Sequence, residues 1–347
     1  MIPSCIAIGA SAGGYHVVVD IISQLPADLP VPVFVVIHIP ASEPSYLPAI
    51  LSKVGRLPAI HPEDGVIIEP GYIYIAPPDH HILISDSRLA VKRGPKENGF
   101  RPSIDALFRS AAYAYGPGAI GVVLSGALND GTSGLWSIKR LGGIAIVQDP
   151  NDALYPSMPR SALEYIEADY KVPSSEMAPL LTRLAREQSK QEQRTGYDTD
   201  ADANRIALEV QLSAGVNLPE ENVLRLGELA PFTCPECHGA LVRIKEGSSF
   251  RFRCHTGHGY SADTLMQHLM ETIGELVWQT VRGFQEGGML LDHIGRHMQE
   301  HGEAAQAEKF LEKGRELNRR ASVFQRMAIE HESLSSSAIE ELRPADD

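Results

Sequence analysis

Three side chains in this 347-residue sequence have the types needed for nucleophilic acyl transfer, and each falls where an apolar run ends. Ser11 lies within residues 5–14, Cys-Ile-Ala-Ile-Gly-Ala-Ser-Ala-Gly-Gly. The segment after it carries Val18, Ile21, Ile22 and Leu25 on one helical stripe. A Gly-x-Ser-x-Gly turn between strand and helix lifts a hydroxyl beside unpaired backbone N–H groups, the arrangement of a nucleophile elbow. Similar turns cradle phosphates, or are simply tight turns. His38 closes the apolar run Val31–His38, and Asp130 follows the run Ala119–Leu124. Sites in open parallel sheets form beyond the carboxyl ends of strands. There His38 would take the Ser11 proton, and Asp130 would orient the imidazole and stabilise its charged form. Backbone N–H groups near Ala12 and in the 126–128 turn, at Ala127 and Leu128, are the expected oxyanion donors, each worth about 3 kcal/mol in the transition state.

Each residue also has a plainer reading. A serine in a glycine turn can be structural, and an Asp-Gly after a strand can be a helix N-cap. His80 and His81 are alternative bases, expected at a turn or rim. Asp105 and Asp149 are alternative acids, with Asp105 expected to face outward from a helix start. A dinucleotide fingerprint wants glycine where Ser11 stands and an acid where His38 stands, so that rival fits poorly.

The elements needed to position these groups are legible over residues 1–185. Apolar runs alternate with amphipathic segments, which predicts an α/β fold with a doubly wound, mainly parallel, Rossmann-like sheet. Tyr72–Ala76, His81–Ser85 and Leu89–Arg93 are expected to form an antiparallel meander beside it. Residues 186–205 are polar without periodicity and are expected to be a flexible linker. Residues 206–231 read as a short structured connector of unassigned role.

At this point the order of motifs carries a resemblance. Residues 5–185 resemble the catalytic domain of the chemotaxis methylesterases, CheB. The matching stretches are Ile8-Gly9-Ala10-Ser11-Ala12-Gly13-Gly14, Ile37-His38-Ile39-Pro40, Arg101-Pro102-Ser103-Ile104-Asp105 with Leu107-Phe108, residues Leu124–Gly131, and Met158-Pro159-Arg160-Ser161-Ala162. The resemblance implies a Ser–His–Asp triad at Ser11, His38 and Asp130. It also implies hydrolysis of glutamyl methyl esters on chemoreceptor signalling helices, with deamidation of receptor glutamines as a companion activity. A methylated chemoreceptor is the implied partner, and no cofactor is implied for the chemistry. The family's usual Gly-Met-Gly before the triad Asp reads Gly126-Ala127-Leu128 here, a smaller side chain at 127. Family members usually carry an N-terminal receiver domain. This sequence opens on the first catalytic strand, so receiver gating is expected to be absent.

A second constellation lies at residues 232–260. Cys234-Pro-Glu-Cys237 is followed after sixteen residues by Cys254-His-Thr-Gly-His258. That spacing fits a zinc-ribbon-like unit with Cys234, Cys237, Cys254 and His258 as structural zinc ligands. A set of free thiols or a redox Cys-x-x-Cys is the alternative. Residues 261–335 show apolar positions every three or four residues, broken at His301-Gly302, and predict a helical hairpin. That hairpin is a candidate surface for self-association or partner binding. With a polar linker ahead of it, the C-terminal half is expected to leave turnover alone.

Composition narrows the classes. The formal net charge is −13, which argues against nucleic acid or an anionic membrane surface as the main partner. Hydrophobic residues make up 43% and charged residues 22%, and no window of about 18 apolar residues exists, so no membrane insertion is expected. The first residues lead into a strand, no signal peptide is expected, and the expected location is cytoplasmic. Two rivals to the esterase remain: a signalling adaptor that keeps the fold for binding, and a serine hydrolase of another ester.

Overall fold

The computed structural model describes residues 4–189, 201–216 and 223–337. In chain order the first part runs β1 (Cys5–Ala10), α1 (Gly14–Gln24), β2 (Val33–Ile37), α2 (Leu47–Val54), β3 (Ala59–Ile60) and β4 (Ile73–Ile75). It continues through β5 (His81–Ser85), β6 (Arg88–Lys92), α3 (Ile104–Tyr115), β7 (Ala119–Val123), α4 (Thr132–Arg140) and β8 (Ile144–Gln148). Then come α5 (Ser157–Tyr165), β9 (Tyr170–Val172) and α6 (Ser174–Gln188).

Seven of these strands form one sheet in the order β3-β4-β2-β1-β7-β8-β9, parallel at every pairing. The central strands are apolar on both faces because helices cover both. Alternate β1 side chains part accordingly. Cys5 and Ala7 join the core beneath α3 and α4, while Ile6 and Ile8 join the core beneath α1 and α6. The chain leaves β1 toward β2 on one side and returns as β7 on the other, so the switch point of the sheet lies at the carboxyl end of β1.

The expected three-run meander is corrected. Its first run, as β4, pairs in parallel with β2 and β3, and only β5 and β6 form an antiparallel hairpin of their own. The Tyr74 and Ile75 side chains are fully covered, which suits an inner strand.

The second half begins with α7 (Ala201–Ser213), followed by β10 (Glu228–Thr233), β11 (Ala240–Glu246), β12 (Ser249–Cys254) and β13 (Gly259–Ser261). These strands form an antiparallel sheet in sequence order. Most of the expected 186–205 linker lies outside the described residues, but α6 extends to Gln188 and α7 starts at Ala201. The compact units also divide elsewhere than expected: the first runs to Thr264, the second from Leu265. Residues 201–264 join the α/β layers through Ala203 and Ile206, which enter the core beneath α3 and α4, and through a buried set of charges. Arg109 of α3 pairs with Glu97 and lies 3.6 Å from Glu209 of α7. Arg253 of β12 meets Glu97 at 2.9 Å and Glu209 at 3.5 Å. Arg251 pairs with Glu209 and, at 2.7 Å, with Glu246. Three guanidinium groups and three carboxylates thus balance within one buried cluster, as burial of charge requires. Burial works against the Glu97 and Glu209 charges, but the arginines outweigh it and hold both carboxyls well below their usual range.

The last two helices are α8 (Ala262–Glu300) and α9 (Ala304–Ser337). They return antiparallel, with Phe284 stacked on Phe324 and Gly295 against Leu311. The break expected at His301-Gly302 holds, and Gly302 takes a positive φ of 86°. Among the described residues no helix is long and apolar enough to cross a membrane.

Candidate active site

Ser11, His38 and Asp130 follow the carboxyl ends of β1, β2 and β7, three adjacent strands. Each backbone is pinned near its strand. His38 N–H donates to Ala10 O at 3.1 Å, Ser11 N–H to Ser125 O at 3.0 Å, and Leu124 N–H to Gly9 O at 2.9 Å. The side chains then meet. His38 Nδ1 lies 3.0 Å from Ser11 Oγ, and His38 Nε2 lies 2.8 Å from Asp130 Oδ2. Asp130 can only accept as a carboxylate, so Nε2 carries the ring proton and Nδ1 is left to accept from the serine hydroxyl. Ser11 is partly open to solvent, whereas the Asp130 side chain is fully buried.

The turn after β7 has room for no side chain at 126. A Cβ on Gly126 would come within 2.8 Å of Ser11 Cβ and 2.1 Å of Met158 Sδ. The Gly126 N–H donates to Tyr155 O, so within 126–128 the oxyanion candidates narrow to Ala127 and Leu128. Leu128 has a φ of 62°, a left-handed turn that re-aims the backbone there. The Ser125 hydroxyl donates to Ala12 O at 2.9 Å and accepts from Tyr155 N–H at 2.9 Å, tying the elbow to this turn.

Asp130 is the most heavily bonded carboxylate of the site. Besides His38 it accepts from Ile104 N–H at 2.7 Å, Ser103 Oγ at 2.9 Å and Asn98 Nδ2 at 3.0 Å. Burial alone would raise its pKa. The hydrogen bond and charge of His38, then the Ile104 and Asn98 donors, reverse that and hold it below the usual carboxylate range. The plainer reading of Asp130 as the N-cap of its own helix does not hold, for Gly131 occupies that position. Asp130 instead accepts from the first turn of α3.

Asp105 does not face outward, which corrects the expectation. It is buried, and its Oδ1 accepts from Gly131 N–H at 3.0 Å and Gly134 N–H at 2.6 Å, at the start of α4. Burial and then the Asp130 charge push its pKa well up. His81 is likewise no rim residue. It is fully buried, faces Pro95 O through Nε2 at 2.9 Å, and accepts from Ser103 N–H at 3.2 Å, bracing the loop from 95 to 103. His80 faces Pro78 O at 2.9 Å, within its turn. Asp149 accepts from Asn151 N–H, away from the three.

That loop supplies two groups the sequence reading passed over. Phe100 stacks on His38 with ring centroids 3.7 Å apart and planes 7° from parallel, and Asn98 reaches Asp130. Both sit on a tight turn in which Phe100 N–H donates to Glu97 O and Glu97 N–H to Phe100 O. Its central residues, Asn98 and Gly99, have φ of 52° and 80°. Asn-Gly is the strongest short-range signal for such a turn and was there to be read.

These observations meet an independent one. The family profile described as CheB methylesterase matches residues 6–181. The chain belongs to the CheB methylesterase family. A Leptospira interrogans protein that carries the name protein-glutamate methylesterase/protein-glutamine glutaminase is 40% identical over 190 residues, 54% of this chain and 97% of that protein. An Anaeromyxobacter dehalogenans protein of the same name, numbered 3, is 40% identical over 159 residues, 45% of this chain and 46% of its own length. Among solved structures, the Thermotoga maritima CheB methylesterase catalytic domain aligns with a TM-score of 0.51 and 32% identity, covering 53% of this chain and all of that one. The CheB profile thus takes in β1 through most of α6 and ends before α7.

The second constellation also comes together. The ligand atoms of Cys234, Cys237, Cys254 and His258 all lie within 4.8 Å of one another. Cys237 and Cys254 Sγ are 3.6 Å apart, and His258 Nδ1 is 3.5 Å from Cys254 Sγ and 3.7 Å from Cys234 Sγ. A tetrahedral zinc with bonds of about 2.3 Å to sulfur spaces its ligands by about 3.8 Å, so the set fits such an ion. Glu236 lies 3.4 Å from His258 Nε2, on the far side of the ring, where a carboxylate commonly orients a ligating imidazole. His238 and His255 are outside the set.

Proposed function

We propose that this chain is a serine carboxyl-ester hydrolase that removes the methyl group from glutamyl methyl esters on receptor signalling helices, with Ser11, His38 and Asp130 as its catalytic residues. The observation that carries the reading is the hydrogen-bonded series from Ser11 Oγ through both His38 nitrogens to Asp130, at the switch point of the sheet. Ser11 Oγ attacks the ester carbonyl carbon as its proton passes to His38 Nδ1. Asp130 holds the Nε2 proton and stabilises the imidazolium. The oxyanion meets the N–H groups of Ala12, Ala127 and Leu128. Methanol leaves with the proton from Nδ1, water attacks the acyl-serine, and glutamate is released. The same acyl transfer with ammonia as leaving group is the glutaminase activity in the relatives' names. The work is cytoplasmic on this reading, where signalling helices of receptors lie.

We infer further that Cys234, Cys237, Cys254 and His258 hold one zinc ion. Four protein ligands leave it no open position, so its contribution is to cross-link β10, β12 and the segment before β13.

The test of the esterase reading is methanol release from a methylated receptor fragment by the full chain, alongside labelling by a fluorophosphonate probe. Ser11→Ala is expected to abolish labelling and remove about six decades of rate while leaving the fold unchanged. Near-normal hydrolysis by Ser11→Ala sinks the assignment.

A further inference from the structure

The part of the chain beyond the CheB profile reaches the site at Asn98 and at Asn129, next to Asp130. Asn98 has both ends of its amide engaged. Nδ2 donates to Asp130 Oδ1 at 3.0 Å and Asp105 Oδ2 at 2.9 Å. Oδ1 accepts from Ser261 N–H at 2.9 Å and Thr264 Oγ1 at 3.0 Å. Reversing the amide would set its oxygen against two carboxylates, so the orientation is fixed by its partners. The backbone joins in. Asn98 N–H donates to Gly259 O at 2.7 Å and Gly259 N–H to Lys96 O at 3.2 Å, so β13 runs beside residues 96–98. Ser261 also begins α8: its Oγ accepts from Thr264 N–H at 3.1 Å and donates to Asn129 Oδ1 at 2.9 Å. Asp263 accepts from Asn129 Nδ2 at 2.9 Å. Residues 261–264 therefore hold both Asn98 and the residue just before Asp130.

We propose that Asn98 is a positioning residue for Asp130, and that the corner where β13 meets α8 is part of the esterase's own support through the Asn98 amide oxygen. The proposal rests on the esterase reading above. Asp130 Oδ2 must face His38 Nε2 throughout the reaction. Its other oxygen, Oδ1, is restrained by Asn98 and Ser103, which blocks the carboxylate rotation that would take Oδ2 off the imidazole. Among the described residues, both hydrogen bonds accepted by the Asn98 amide oxygen come from beyond the α/β layers. The corner supplies both donors. On this proposal the C-terminal half contributes to turnover, against the expectation from the sequence that it leaves turnover alone.

The test is steady-state hydrolysis of an activated ester by the full chain, with Asn98→Ala, Thr264→Val and the double variant. Loss of a hydrogen bond to a charged group at the site is expected to cost Asn98→Ala about tenfold or more in kcat with KM within twofold. Thr264→Val, which touches neither Asp130 nor substrate, is expected to lower kcat severalfold. Because it acts through Asn98, it should add no further loss in the double variant. Wild-type kcat in Asn98→Ala, or additive losses in the double variant, overturns the proposal. If Asn98→Ala does not fold, Thr264→Val alone decides, and unchanged kcat there also overturns it. Ser11→Ala run alongside separates the two readings. Activity that survives in Ser11→Ala is a failure of the esterase assignment, whereas Ser11-dependent activity indifferent to Asn98 is a failure of this inference only.

Discussion

Asp105 and Asp130 each sit at the N-terminus of the other's helix. Asp130, just before α4, accepts from Ile104 N–H in the first turn of α3, and Asp105 of α3 accepts from Gly131 and Gly134 N–H at the start of α4. Each carboxylate satisfies backbone donors that a helix start leaves without partners. The two helices are therefore locked in register at the end of the sheet where Ser11 and His38 stand. Asp105→Ala is expected to strand both N–H groups and to lower stability by about 1–3 kcal/mol in urea denaturation. Asp105→Asn, which keeps an acceptor oxygen, is expected to lose less. Wild-type stability in Asp105→Ala would show that the exchange of caps contributes nothing.

The buried arginine–glutamate cluster makes a pH-dependent prediction. Glu97 and Glu209 have lowered pKa values in the fold. Such groups contribute stability above their unfolded value, about 4.3 for a free glutamate, and lose it as pH falls toward the folded value. Glu209→Gln leaves Arg251 and Arg253 short of a buried partner, so at pH 7 it is expected to destabilise by about 3 kcal/mol or more. The gap to wild type is expected to narrow as pH falls below about 4, because the unfolded chain then takes up a proton that folded Glu209 does not bind until about pH 2. Thermal unfolding across pH 3–8 checks this. A gap independent of pH would mean that Glu209 acts by packing alone.

Metal content tests the cysteine–histidine set. The purified full chain is expected to carry one zinc, and Cys237→Ser to carry much less. Removal by a chelator is expected to speed amide exchange in β11, β12 and β13, since the ion would tie together segments with a small core of their own. Equal protection with and without metal contradicts the structural role.

Much of the site was legible because its chemistry sits on the strongest sequence signals. Apolar runs such as Val33–Ile37 and Ala119–Val123 read as buried parallel strands, and the residues at their ends were there to be named. Two adjacent apolar residues, Tyr74 and Ile75, could not reveal whether their strand joined the main sheet or the hairpin, since both environments bury them. Asp105 and His81 were misplaced for a related reason. Polar types are expected at the surface, and only the tertiary fold shows which are enclosed with partners.

The connection of the second half was harder to see. The buried stripe of α7 runs through Ala203, Ile206, Glu209 and Leu212, and a glutamate in its middle hides the period. Arg109, Arg251 and Arg253 look like solvent-facing charges until Glu97 and Glu209 are brought to them across 12 to 156 residues. The apolar count that identifies a core therefore passed over the charged part of the junction that joins residues 201–264 to the sheet.

The same junction limits what can be exchanged between proteins of this kind. An apolar seam tolerates substitutes of similar size, but six interlocked charges accept only a counterpart with the opposite sign at each place. A foreign C-terminal segment spliced on after α6 would leave the buried Glu97–Arg109 pair without Arg253 and Glu209. The esterase half thus carries a recognition code for its own continuation, and swapping either half requires rewriting both.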